Sequence, residues 1–310
     1  MKKKVLLPLL AVICMVFAGC KNAEDEKVLE VVEIPIEEGN ESTESAVIAG
    51  AEPESVIFED IEVEVNGDRG SILVGTTGAP FTELLTQAKI LLAGDGWNLQ
   101  IKYYDNYEQL NADVLNGVVD AHFFAHQTYI DSFNDVNKTM LTCVAPVCYE
   151  VYGIYSELNQ DLTKIPGATI ALPAEAEKKA RALLFMQDLG WITLAEDVGM
   201  TAIMEDIEVN DKNLQFKEYS QETLMDVIKE SDYCIVGADT AIVNGLDVED
   251  DAIRTETKNS ISAGIYATLL VSTQEKAEDV RLKALAETLA SDEMKEYVSD
   301  TYKGALDLMR

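Results

Sequence analysis

From residue 70 onward the chain alternates short apolar runs with amphipathic stretches. Residues 71–75 form a mainly apolar run between glycines, which is typical of a buried strand, and residues 81–92 follow with helical spacing. The same order recurs to the end of the chain. Further strands are predicted at residues 99–104, 118–123, 140–147, 150–155, 169–172, 214–218, 233–236 and 265–271, and further helices at 107–115, 128–134, 174–189, 221–229 and, as a pair, 280–302.

This alternation predicts an α/β architecture built on parallel sheets. The alternating part exceeds what one hydrophobic core comfortably serves, so we expect two lobes. The boundaries we predict are 70–147 and 248–310 for the first lobe and 148–247 for the second. Ligands of such sheets bind in crevices at the carboxyl ends of the strands, and two facing lobes offer a ligand cleft between them.

The N-terminus has the order of a bacterial lipoprotein signal. Lys2, Lys3 and Lys4 precede an apolar run at residues 5–17, which is shorter than a membrane-spanning helix needs, and small residues then lead to Cys20. We predict a signal peptide at residues 1–19, cleavage before Cys20 and acylation of its thiol. The acidic stretch at residues 20–69 is expected to act as a solvated linker to the membrane surface.

Composition narrows the possible partners. The 310 residues include 56 acidic and 24 basic side chains, for a formal charge of -32. Such a surface repels nucleic acid and bare anionic lipid, so neither is expected as a partner. The predicted mature chain keeps Cys143, Cys148 and Cys234, which allow at most one disulfide, and we interpret them as small buried apolar residues. Cys143 and Cys148 are expected on opposite faces of one strand.

Four segments resemble one known family. They are Val-Gly-Thr-Thr-Gly-Ala-Pro-Phe at residues 74–81, Asp-Ala-His-Phe-Phe-Ala-His-Gln-Thr-Tyr at 120–129, Ala-Arg-Ala-Leu-Leu at 180–184, and Ser-Asp-Glu at 291–293 with Tyr-Lys-Gly-Ala at 302–305. The chain resembles the methionine-binding lipoproteins of bacterial ABC importers (MetQ/NlpA type). In the second segment that family has Asp-Ala-Asn-Tyr-Phe-Gln-His-x-Pro-Tyr. The resemblance implies a two-lobed fold like that of type II periplasmic binding proteins.

The resemblance also implies which residues bind a free amino acid. Tyr107, Phe124, His126 and Tyr129 would line the pocket for the ligand side chain, and Arg181 would hold the carboxylate. Aromatic rings suit a thioether, since sulfur makes favourable contacts at ring edges, and a guanidinium fork pairs with a carboxylate. In the adjacent pair, Phe124 is expected at the cleft and Phe123 in the core. We also expect Arg181 in the opening turns of its helix, where backbone N–H groups favour anions.

The chain departs from the family at two polar positions. Lys178 and Asp239 stand where the family has asparagines that help to hold the amino-acid backbone. Asp239 could accept a hydrogen bond from the ligand ammonium, or it could pair with Lys178 in a pocket for another solute. For Arg181 the alternative is an ion pair on the helix surface with Glu177.

Other site chemistries are less well supported by the sequence. His122 and His126 are spaced four apart, but no glutamate lies between them as in the His-Glu-x-x-His motif, so no metal site is predicted. No nucleophile–base pair or paired carboxylates stand out, so we expect neither an enzyme nor a cofactor.

The function predicted from the sequence is a lipid-anchored receptor on the extracytoplasmic face of the cell membrane. It would capture an amino acid, with methionine first, for an ABC permease and its ATPase. The alternatives are the same transport role for another amino acid, a dipeptide, a sulfonate or a metal ion, a surface lipoprotein that binds a protein, and an enzyme.

Overall fold

The computed structural model of the protein describes residues 61–310. The predicted signal peptide, Cys20 and most of the acidic linker therefore lie outside the described residues. Within residues 61–310, no helix combines the length and the apolar character that crossing a bilayer requires.

Strands and helices alternate through this part of the chain. The strands are β1 (Gly70–Thr76), β2 (Trp97–Tyr103), β3 (Ala121–Ala125), β4 (Leu141–Glu150), β5 (Tyr152–Tyr155), β6 (Thr169–Pro173), β7 (Thr193–Leu194), β8 (Ile207–Val209), β9 (Gln215–Tyr219), β10 (Tyr233–Gly237), β11 (Arg254–Thr255), β12 (Thr268–Thr273) and β13 (Leu306–Leu308). The α-helices are α1 (Phe81–Gly94), α2 (Tyr107–Leu115), α3 (Gln127–Asn137), α4 (Ala176–Asp188), α5 (Leu224–Val227), α6 (Ala238–Val243), α7 (Ile261–Tyr266), α8 (Val280–Leu289) and α9 (Asp292–Tyr302).

These strands form two main sheets. The first has six strands in the order β13-β4-β12-β3-β1-β2, and the second has five in the order β11-β5-β10-β6-β9. β7 and β8 make a small separate pair. β1 is parallel to β2 and β3, and β6 is parallel to β9 and β10, whereas β4, β5, β11, β12 and β13 pair antiparallel.

The predicted α/β fold is confirmed, and both main sheets are mixed, with parallel and antiparallel pairs. β4 belongs to the first sheet and β5 to the second, with only Val151 between them. No helix intervenes at this crossing, and β12 returns antiparallel between β3 and β4. Apolar runs along the sequence report burial and not strand direction, so the sequence pattern could not distinguish the two arrangements.

Each sheet carries apolar packing on both faces. α1, α8 and α9 cover one face of the first sheet, and the residues of α2 and α3 contribute to a separate cluster with β12. The second sheet packs against α4 on one side and against α5 and α6 on the other. Burial on both faces explains why strands inside the second sheet, such as β6 and β10, are apolar along almost their whole length.

The thiols follow this layering. Cys148 is buried in the cluster beneath α1, and Cys143 packs against the cluster of α2 and α3, so the predicted opposite faces are confirmed. Cys234 is buried in the second sheet, and all three are free thiols. Cys148 and Cys234 fit the expected role of small apolar residues, while Cys143 is only partly buried.

The predicted strand at residues 265–271 is wrong in its first part. Ser260 caps α7, because its hydroxyl accepts a hydrogen bond from the backbone N–H of Ala263 at 3.1 Å. The chain therefore stays helical through Tyr266 and becomes extended only at Thr268. In the sequence, Ser260 was an available N-cap signal for this helix, whereas the β-branched Ile265 favoured a strand.

A glycine lets α2 approach the first sheet closely. A Cβ placed on Gly75, in β1, would lie 2.2 Å from Cδ1 of Leu110 and 3.0 Å from a ring carbon of Tyr104. Any larger residue would push the helix away.

Candidate functional site

Three aromatic side chains from three different elements meet at the first sheet. The rings of Tyr107 in α2 and Phe124 in β3 stack with centroids 5.0 Å apart, and Tyr129 in α3 meets Phe124 edge-on at 5.6 Å. Tyr107 keeps 53 % of its surface exposed. Asn111 is fully buried and donates to the hydroxyl of Tyr129 at 3.0 Å, which fixes that ring. We call Tyr107, Phe124 and Tyr129 the aromatic wall.

The two adjacent phenylalanines divide as the strand alternation predicts. Phe123 is fully buried in the core, where its ring meets Phe81 edge-on at 5.2 Å. Phe124 is half-buried and belongs to the aromatic wall instead, where it stacks on Tyr107. Neighbouring side chains on a strand point to opposite faces, so only one of the pair can reach the site.

His126 lies beside the wall as the N-cap of α3. Its Nδ1 accepts from the backbone N–H of Tyr129 at 3.2 Å, which requires that nitrogen to be unprotonated. Burial lowers the pKa of His126, although the nearby Glu177 partly opposes the shift. The ring therefore acts as a neutral wall, 6.5 Å from Tyr129 between centroids.

His122 has a different environment. It is fully buried, its ring lies 4.6 Å from that of Phe124, and burial lowers its pKa to about 3. Neither ring nitrogen has a hydrogen-bond partner among the described residues. Within residues 61–310 no three His, Cys, Asp or Glu side chains are grouped to hold a metal ion.

Arg181 is buried within the described part of the chain, with 4 % of its surface exposed. Its guanidinium carbon lies 4.4 Å from the ring centroid of Tyr152 and 4.8 Å from that of Tyr266. Nη2 donates to Oε2 of Glu256 at 2.8 Å and to the backbone carbonyl of Glu150. Nη1 stands 4.0 Å from Oε2 of Glu150, and the buried Nε has no hydrogen-bond partner.

Arg181 lacks the helix N-terminus that was expected to help it bind an anion, and the alternative ion pair with Glu177 is not formed. It is the sixth residue of α4, beyond the first four residues whose N–H groups lack helical partners, so it gains no anion site from the opening turn. Its ion pair is with Glu256 and not with Glu177 on the helix surface. Glu256 is buried and also accepts from the hydroxyl of Ser262, whose backbone N–H donates to Oδ2 of Asp188 at 3.2 Å.

Asp239 pairs with Lys178, as one of the two alternatives proposed. Nζ of Lys178 lies 2.5 Å from Oδ2 of Asp239 and 2.9 Å from the hydroxyl of Thr240. Burial works to raise the pKa of Asp239, but the hydrogen bonds from Lys178 and Thr240 outweigh it and hold the pKa below its usual range. The Asp239 backbone N–H donates to Oε1 of Glu150 at 2.9 Å.

Glu150 connects the two charged pairs. Its side chain, 36 % exposed, lies at the end of β4, between Arg181 and Asp239. Burial, and then the negative charge of Asp239, raise the pKa of this carboxyl to about 7. We call Lys178, Arg181, Glu150, Asp239 and Glu256 the charged cluster.

Tyr266 joins the charged cluster to the residues at the aromatic wall. Its ring lies 4.8 Å from the guanidinium carbon of Arg181 and 6.4 Å from the ring of His126. The residues that the sequence singled out thus form one continuous series of contacts, with apolar rings at one end and charges at the other. Such an arrangement suits a small molecule that carries both an apolar part and charged groups.

Four residues of the site were not identified from the sequence: Glu150, Tyr152, Glu256 and Tyr266. Tyr152 and Glu150 were expected only as strand residues, and Tyr266 was assigned to a strand that begins two residues later. A buried acid close to an arginine in space leaves no local signal. The cap at Ser260 would have been the clue for Tyr266.

Comparisons with known proteins identify similar chains. A family model described as "NlpA lipoprotein" matches residues 72–307. The chain is 32 % identical over 241 residues to the methionine-binding lipoprotein MetQ of Bacillus subtilis, which covers 76 % of this chain and 86 % of that protein.

Solved structures agree. A nutrient-binding protein from Burkholderia cenocepacia bound to methionine has a TM-score of 0.54 and 27 % identity, covering 77 % of this chain and 100 % of that one. A periplasmic substrate-binding protein of an ABC transporter from Coxiella burnetii also has a TM-score of 0.54 and 27 % identity, over 76 % and 99 % of the two chains.

Proposed function

Since the chain belongs to the NlpA lipoprotein family, we propose that it is the extracytoplasmic solute-binding lipoprotein of an ABC importer, with methionine as its ligand. The observation that carries the proposal is the continuity between the aromatic wall and Arg181 through Tyr266. A free amino acid has the matching chemistry: an apolar side chain at one end and a zwitterion at the other. The similar proteins that are named for methionine, or bound to it, support this choice.

The aromatic wall suits the ligand side chain. A thioether is apolar and polarisable, and its sulfur gains about 0.3–1.5 kcal/mol from a contact with an aromatic ring. Tyr107, Phe124 and Tyr129 would supply these contacts, and neutral His126 would close the side of the slot without adding a charge.

The charged cluster suits the amino-acid end. Nε of Arg181 is buried without a hydrogen-bond partner, and a ligand carboxylate would satisfy it. Glu150, with Asp239 beside it, offers carboxylate oxygens to the ligand ammonium. A charged hydrogen bond of this kind contributes about 1.5–3 kcal/mol.

The proposed mechanism is closure of two lobes on the ligand. The wall residues belong to the first proposed lobe (70–147 and 248–310), and Arg181 and Asp239 belong to the second (148–247). The assignment of strands to the two sheets favours lobe boundaries a few residues later than these, at Val151 and after β11. A ligand that touches both lobes binds the closed state more tightly than the open state and so stabilises it. The permease would recognise this closed state.

We further propose attachment to the outer face of the cell membrane through an acylated Cys20, with residues 20–69 as the spacer. The partners would then be the permease and its ATPase, and the protein itself would catalyse no reaction and need no cofactor. In membrane fractions, the full chain should sediment with the membrane and a Cys20→Ser variant should not. Equal sedimentation would refute the anchor.

The ligand is tested by titration calorimetry of the mature protein against the twenty amino acids and both methionine enantiomers. We expect heat with methionine and a loss of affinity of at least tenfold in Arg181→Lys, which keeps the charge but loses the fork. Arg254→Lys, at an exposed arginine of β11, is the matched control and should bind normally. No heat with any amino acid would refute the ligand class.

A second candidate keeps the transport role with a different small solute. The Lys178–Asp239 ion pair favours it, because two charges stand where the family has amides. Native mass spectrometry of the purified protein separates the candidates, since a co-purified molecule with a mass other than that of methionine would identify the solute.

A further inference from the structure

Charge pairing within the cluster leaves one acid over. Lys178 is paired with Asp239 at 2.5 Å, and Arg181 with Glu256 at 2.8 Å. Glu150 has no such close partner among the cations of the cluster, since the Nη1 of Arg181 is 4.0 Å from its Oε2. The place where the amino-acid end of a ligand would lie therefore has three carboxyl groups and two bases. The pKa of Glu150 is about 7, so an ammonium group beside it would favour its ionised form.

A carboxylate has limited access to this cluster. Nη2 of Arg181 is already shared by Glu256 and the carbonyl of Glu150. Both bidentate edges of a guanidinium include Nη2, so Arg181 offers Nη1 and Nε only as single donors. An incoming carboxylate would also approach the negative charges of Glu256 and Glu150. Both effects weaken this half of the contact compared with a bidentate arginine pair.

An ammonium group meets the opposite situation. Oε1 of Glu150 accepts from the Asp239 backbone N–H at 2.9 Å, which fixes the carboxylate, and Oε2 remains available for a donor. Asp239 on the same side is already paired with Lys178, so Glu150 is the carboxyl that remains for the ammonium. Hydrogen bonds and charge thus act in the same direction at this end.

We propose that the site holds its ligand chiefly by the α-ammonium group, so that its substrate class includes amino acids whose carboxyl is blocked as an amide or a peptide bond. This inference rests on the proposed function, because it concerns the same pocket. Lys178 and Asp239 are specificity-determining residues in it: by neutralising each other, they remove two groups that would otherwise hold the ligand backbone from both sides.

Calorimetry of the mature protein at pH 7 with three probes tests the inference: methionine, methionine amide and N-acetylmethionine. The amide should bind within about tenfold of methionine, and the acetylated compound should bind about a hundredfold more weakly or not at all. If N-acetylmethionine binds as well as the amide or better, the inference is wrong while the proposed function stands. If methionine itself gives no heat, both are wrong.

Two sets of variants sharpen the result. Glu150→Gln keeps an oxygen acceptor for the Asp239 N–H and should weaken methionine and its amide by the same factor, about tenfold to a hundredfold. Glu287→Gln, at an exposed glutamate of α8, should change neither. The double variant Lys178→Asn with Asp239→Asn should raise the preference for methionine over the amide at least fivefold. An unchanged preference would overturn the role given to the ion pair.

Discussion

The ring of Tyr266 lies 4.8 Å from the guanidinium carbon of Arg181, at the junction between the aromatic wall and the charged cluster. Tyr266 belongs to α7 and Arg181 to α4, two helices that pack against each other. The hydroxyl of Tyr266 donates to the carbonyl of Glu177, one turn before Arg181, at 3.2 Å. The tyrosine therefore orients both the helix and the guanidinium that it carries.

Replacing Tyr266 tests this junction. Tyr266→Ala removes a partly desolvated cation–π contact of about 1–2 kcal/mol and should weaken ligand binding about tenfold. Tyr266→Phe keeps the ring and loses only the exposed hydroxyl contact, so its affinity should stay within about threefold of wild type. Calorimetry with methionine measures both. Equal losses in the two variants would assign the effect to the hydroxyl.

The buried pair of Arg181 and Glu256 should affect stability as well as binding. Removing the Arg181 side chain would leave Glu256 as a buried unpaired charge. Arg181→Met should lower the free energy of unfolding by about 3–5 kcal/mol.

Adding Glu256→Gln to Arg181→Met should recover most of that loss, since no charge then remains buried. Urea unfolding of the two variants measures the difference. Both should bind ligand poorly, because the guanidinium is missing in each. A double variant no more stable than the single one would mean that the cost comes from lost packing.

The adjacent phenylalanines separate packing from recognition. Phe123→Ala empties a fully buried core position and should cost about 3–5 kcal/mol of unfolding free energy. Phe124→Ala, at the half-buried wall position, should cost clearly less stability but should weaken methionine binding at least tenfold. Denaturation and calorimetry on both variants check the pattern, and a reversed pattern would place the site on the other face of β3.

Stability should fall in acid because of His122. Its folded pKa is lowered to about 3 by burial, whereas in the unfolded chain it is near the ordinary value of about 6.5. Below pH 6.5 the unfolded state binds the proton and the folded state does not, so stability decreases until about pH 3. Between pH 8 and pH 5, the titration of His122 should lower the free energy of unfolding by about 2 kcal/mol.

His122→Asn supplies the control for this pH dependence. The asparagine has no such titration, so the part of the slope between pH 6.5 and pH 5 that comes from His122 should disappear. Urea unfolding at several pH values measures it for both proteins. An identical slope in the variant would assign the dependence to other groups.

The sequence by itself determined the elements and the layering. Apolar runs and helical spacing predicted most strands and helices to within a few residues of their observed bounds, because burial on both faces of a sheet requires apolar residues next to one another in the sequence. Strand direction and the helix at Tyr266 were not recovered. Both depend on where a segment packs after the chain has crossed from one sheet to the other.

The sequence also determined only part of the candidate site. Residue type and the family resemblance were enough to select the aromatic wall and Arg181. Only the tertiary structure decided that Lys178 pairs with Asp239, that Glu256 is bound to Arg181, and that Glu150 is left over. Lys178 and Asp239 are 61 residues apart along the chain, and Arg181 and Glu256 are 75 residues apart. The role of a charged side chain depends on its neighbours in space, and the spacing along the sequence does not encode them.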